Sequence, residues 1–207
     1  MSDRPGSRGE RQLQRELGSE ERADRFYRRQ VLDHLNPRMR EFVSRQEMLF
    51  VATADAGGEC DASLRAGPRG FIQVLSPRTL AYPEYRGNGV MASLGNIREN
   101  PHVGLLMIDF IEDVIGLHVN GRARIAGDAT LRATHPVTLP RQGGHAPERW
   151  VVVSVAEAYI HCSKYIPRLV KPSPPGDGWG RRARRGGGDH FQAGDTPRPS
   201  SPTSLPP

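Results

Sequence analysis

Apolar residues recur along this chain with two different periods. Between Ser19 and Leu35 they keep a helical spacing, with Ala23, Phe26, Tyr27, Val31 and Leu35 on one stripe. Ser19 reads as an N-cap, and Glu20, Glu21 and Asp24 stand where acids favour a helix start. Asn36-Pro37 predicts a restart, with Asn capping, Pro in the first helical position, and Met39, Phe42 and Val43 as the next stripe. From residue 48 the period changes. MLFVATA (48–54), ECDASLRA (59–66), GFIQVLS (70–76) and TLAYP (79–83) read as short strands punctuated by Asp55-Ala56-Gly57-Gly58 and Ser76-Pro77. Residues 88–99 predict a short helix ending at Asn100-Pro101. HVGLLMIDF (102–110), VIGLHVNGRARIAG (114–127) and, after a polar Pro-rich loop, RWVVVSVAEAYIH (149–161) predict three longer strands. Six or seven strands joined mostly by short turns, with helices crowded at the N-terminus and one short internal helix, imply a mainly β, antiparallel barrel.

Composition sets the limits of that domain. The 207 residues are 36% hydrophobic, and Gly and Pro number 23 and 18, so part of the chain lies outside any core. Residues 172–207 hold 15 Gly or Pro and only Trp179, Phe191 and Leu205 as large apolar groups, which predicts a disordered Gly/Pro/Arg-rich tail. Residues 1–18 read as a flexible lead, leaving 19–171 as the folded domain. No run of eighteen apolar residues and no signal-type h-region occur, so the expected location is cytoplasmic, without a membrane partner. The net charge of +6 invites a nucleic-acid reading. Yet 27 of the 29 basic residues are Arg, and in residues 1–30 eight Arg alternate with six acids. That describes a solvated helix face, not a phosphate-binding patch, and no nucleic-acid partner is expected. Two cysteines, Cys60 and Cys162, make neither a disulfide framework nor a metal cluster, and His118 and His135 lack metal-ligand spacing. His161-Cys162 suggests a haem or redox site, but a buried Cys beside a half-buried His is the commoner arrangement.

No phosphate-binding loop, GxGxxG, HExxH or GxSxG motif is present, so any chemistry must come from a bound cofactor. The informative stretch is 59–110. A strand carries Ser63 and Arg65, AYPEYRGN follows, a helix carries Ser93 and Asn96, and Asn100-Pro101 precedes an apolar strand. In this order the residues resemble those of the pyridoxamine 5'-phosphate oxidase-like flavoproteins, over about residues 20–170. The resemblance implies an FMN-binding split barrel and a homodimer with the flavin between two chains. It implies a flavin-dependent oxidoreductase acting on a small-molecule electron donor or substrate. Ser63, Arg65, Asn88, Ser93 and Asn96 fall where family members contact the flavin, and Tyr82 and Tyr85 are positioned to supply an apolar platform. The physics of the ligand agrees, because a phosphate dianion seeks guanidinium, hydroxyls and helix-start N–H groups. The same barrel also suits a module that holds a flavin, a deazaflavin or haem without turnover. CSKYIPRLVK (162–171) lacks the Arg, His and Trp grip of the full oxidases, which points to a substrate other than pyridoxamine phosphate.

Overall fold

A computed structural model describes residues 5–138 and 147–170. Helices α1 (Arg8–Glu16), α2 (Glu20–Gln30) and α3 (Pro37–Arg45) come first. Strands β1 (Met48–Ala54), β2 (Cys60–Ala66), β3 (Gln73–Ser76) and β4 (Thr79–Glu84) follow, then helix α4 (Ala92–Glu99). Strands β5 (His102–Asp109) and β6 (Ile115–Ala126), helix α5 (Asp128–Thr134) and strand β7 (Arg149–His161) complete the set. The seven strands form one sheet in the order β2-β1-β5-β6-β7-β4-β3, and every pairing is antiparallel. This is the split barrel, mainly β, with its open edges at β2 and β3. No described helix is long and apolar enough to cross a membrane.

Alternation explains the curl. Along β1, Leu49, Val51 and Thr53 are buried and Phe50 and Ala52 face out. Leu105 and Met107 of β5, Leu117 and Val119 of β6, and Val151 and Val153 of β7 join them in one interior cluster. Burying such a face on a curled sheet is the main stabilising term. Strand β6 bends at Asn120/Gly121, where its register against β7 shifts. A Cβ at Gly121 would stand 2.2 Å from the Ser154 carbonyl oxygen, so only glycine fits this close approach.

Four boundaries differ from the sequence expectation. Arg8–Glu16 is helical where a flexible lead was expected: Ser7 caps it, and Tyr27 ties it to α2 through Glu10 and Gln14. Helix α2 stops at Gln30 rather than continuing to Leu35, because Leu32 exchanges backbone hydrogen bonds with Ala158 of β7. Ser19 precedes α2 without a side-chain cap, whereas Asn36 does cap α3 through the Met39 N–H. A second internal helix, α5, occupies the stretch read as loop; only Leu131 of it is buried, too little to leave a periodic signal. It packs over Trp150, whose indole N–H donates to Asp128 at 2.8 Å. The Arg-rich tail, 172–207, lies outside the described residues.

Candidate functional site

The edge strand β2 carries polar residues on its inward face. Asp61, Ser63 and Arg65 are half-buried while Ala62, Leu64 and Ala66 are exposed. A strand built only for packing would place apolar residues there. Together with the 83–94 segment these side chains line a cleft of about 660 Å³.

The hydrogen bonds in this cleft run in one direction. Ser93 Oγ lies 2.8 Å from Asp61 Oδ2 and 3.0 Å from Ser63 Oγ. A carboxylate only accepts, so the Ser93 proton is given to Asp61. Ser93 then offers only lone pairs to Ser63, which must donate. Ser63 in turn accepts from Arg65 Nη1 at 2.9 Å. Arg65 also donates from Nη1 to the Leu64 carbonyl at 3.3 Å and from Nε to Glu84 Oε1 at 2.7 Å. Its Nη2 edge makes no hydrogen bond among the described residues. Burial pushes the Glu84 carboxyl above its ordinary value, and the Arg65 guanidinium offsets this only in part.

The loop into α4 explains why Ser93 arrives here. Gly89 (φ +87°) and Met91 (φ +59°) adopt the left-handed conformation, which delays the helix to Ala92. The expected start at Asn88 is therefore corrected: Asn88 holds the turn by accepting from the Val90 N–H. No side chain caps α4, so the first-turn N–H groups, Ser93's among them, lack a side-chain partner.

Ser63, Arg65, Tyr85, Asn88 and Ser93 thus line one cleft. Tyr82 does not. Its ring is fully buried in the core and its hydroxyl makes no hydrogen bond among the described residues, so it offers no platform to a ligand. Burial, and secondarily the nearby Glu84 carboxylate, raises the Tyr82 hydroxyl pKa. Asn96 is also diverted: its amide donates to the buried Thr53 hydroxyl of β1 at 3.1 Å, pinning α4 to the sheet. Sequence reasoning missed Asp61 and Glu84. The D-x-S-x-R alternation in β2 was the available signal for Asp61, but Glu84 is brought in only by the curl of the sheet. His161 is bonded to His118, Nδ1 to Nε2, at 3.0 Å, with Tyr159 stacked on His118. Cys162 is exposed, which corrects the expectation of a buried thiol. Among the described residues no group of three metal-ligating side chains occurs.

Comparison with known proteins places this geometry in context. HupZ of Group A Streptococcus is 20% identical, covers 60% of this chain and 92% of its own, and superposes with a TM-score of 0.41. General stress protein 26 of Bacillus anthracis is 13% identical over 59% of this chain and 90% of its own, with a TM-score of 0.42. HutZ, the haem storage protein of Vibrio cholerae, is 15% identical over 62% and 95%, with a TM-score of 0.37. No curated protein matches the sequence. The profile of the pyridoxamine 5'-phosphate oxidase family matches residues 35–162, more than half of the chain, and the chain belongs to that family.

Proposed function

We propose that this protein is an FMN-dependent oxidoreductase whose cofactor phosphate docks against Arg65. The observation that carries the reading is the convergence of the uncommitted Nη2 edge of Arg65 and the uncapped start of α4 on one cleft. That donor set fits an organic phosphate. Tyr85, Met91 and Leu94 supply apolar wall for a ring. Glu84 and Ser63 hold the guanidinium in place before the ligand arrives, which lowers the ordering cost of binding. Asp61 has the opposite effect, because it takes the proton that Ser93 would otherwise offer. When bound, the flavin would accept and release electrons, and this chain would contribute binding, orientation and access. The absence from 162–171 of the combined Arg, His and Trp set of the full oxidases supports a substrate other than pyridoxamine phosphate.

The functional unit in this reading is a homodimer. Leu64, Phe50 and Leu106 lie side by side across β2, β1 and β5 on the outward face, with Leu64 51% and Phe50 39% exposed. A second copy covers that row.

Titration with FMN, followed by flavin fluorescence quenching, tests the assignment. Arg65→Ala is expected to weaken binding by about 1.5–3 kcal/mol, the worth of a charge-assisted bond. Unchanged affinity would place the phosphate elsewhere.

A further inference from the structure

A second cleft, of about 990 Å³, adjoins the first and shares Glu84, Tyr85, Met91 and Leu94 with it. One face of α4 forms its wall. Met91, Leu94, Gly95 and Arg98 follow helical spacing along that face. Gly95 leaves the wall open, since a Cβ there would meet nothing within 4 Å. Ile97 and Ala123, both buried, and Ile125 contribute apolar floor.

The rim is cationic. Arg98, Arg124 and Arg149 are exposed and border this cleft. Among the described residues none of the three makes an ion pair, whereas Arg45, Arg65, Arg69, Arg78 and Arg132 each pair with an acid. Among the described residues Arg149 donates only to the Glu148 carbonyl. Two carboxylates also border the cleft: Glu84, already bound by Arg65, and the exposed Glu148. The balance is positive but modest, which suits a monoanion better than a phosphate dianion. Burial keeps the Tyr85 hydroxyl protonated above its ordinary range, so this wall presents an uncharged ring and a donor.

We propose that this second cleft binds a small organic carboxylate with a flat apolar body, the ring over Gly95 and the Ala123–Ile125 floor and the carboxylate at Arg98 and Arg124. Its role as substrate rests on the flavin reading, because the shared wall places it beside the first cleft. Its ligand class does not rest on that reading.

Benzoate is the probe, with benzamide as its neutral isostere, titrated against the full flavin-free chain by ligand-observed NMR. Benzoate is expected to bind about tenfold more tightly than benzamide, as a charge-assisted contact predicts. The double variant Arg98→Gln/Arg124→Gln should lose about tenfold in benzoate affinity, while Arg78→Gln, at an exposed pair remote from the cleft, should not. All these positions are exposed, and matching thermal melts will verify folding. Gly95→Leu should fill the cleft and abolish binding of both probes. Equal affinity for benzoate and benzamide would overturn the proposal. So would benzoate binding that survives the double variant, because the anion would then sit elsewhere. Failure of FMN to bind would leave the benzoate result standing, so the two readings fail separately.

Discussion

Arg65 and Glu84 meet at 2.7 Å across the split of the barrel. Arg65 lies on the edge strand β2, and Glu84 ends β4, five ladder steps away around the sheet. The contact is therefore the polar closure of an otherwise open cylinder, and the candidate cofactor cleft lies against it.

That closure carries a pH signature. The Glu84 carboxyl is raised above its ordinary value in the folded chain, chiefly by burial. The unfolded chain ionises first as pH rises, near 4.5, and the folded chain later. The stability Glu84 contributes relative to a neutral side chain is therefore present below that pH and is lost as pH rises through the folded value. Against Glu84→Gln, the wild-type protein should lose relative stability across that window in paired thermal melts. A wild-type stability that rises with pH relative to the variant would contradict the assignment.

The one-way proton chain makes a second prediction. In Asp61→Asn the side chain can present its amide N–H to Ser93, which frees the Ser93 proton for an incoming phosphate. FMN should then bind more tightly, by about 1.5–3 kcal/mol, one recovered hydrogen bond to a charged group. Weaker binding in a calorimetric titration would show that Asp61 supports the ligand instead.

Two glycines in neighbouring strands should respond in opposite ways. Gly121→Ala drives a Cβ into the Ser154 carbonyl and should cost about 3 kcal/mol or more. At Gly104 the nearest atoms to a Cβ are 3.5 and 3.8 Å away, ordinary contact distances. Gly104→Ala should be neutral or stabilise by about 0.5–1 kcal/mol. Chemical denaturation of both variants reads the contrast.

The outward apolar row yields a prediction about assembly. Phe50→Arg places a charge at the centre of the Leu64–Phe50–Leu106 row. Light scattering at micromolar concentration should show a dimer for the natural chain and a monomer for the variant. A natural chain that is monomeric would remove the second copy from the reading.

Much of this architecture was legible along the chain, for a physical reason. Strands such as Met48–Ala54 and Arg149–His161 bury one face or both, and burial imprints a period or an apolar run that survives without any knowledge of partners. Helix α5 left no such imprint with its single buried Leu131. In the site, Ser63, Arg65 and Ser93 were readable because each stands on an element with a recognisable pattern. Tyr82 misled because an aromatic in an apolar strand reads the same whether it faces a ligand or the core, and only the sheet's curl decides. Glu84 escaped notice because its partner is distant in the ladder.

The strand order also dictates a sequence in time. All the residues of the first cleft lie between 61 and 94, yet local chain cannot bring them together. Strand β4, which delivers Glu84, pairs on its inner side with Arg149–Ser154 of the last strand. On a ribosome, Arg65 is made early and stays without its carboxylate until β7 has emerged, because loop closure of that length must precede the contact. The complete cleft thus needs β4 seated on β7, so capture of a ligand that depends on the Arg65–Glu84 contact reports a barrel whose two halves have joined.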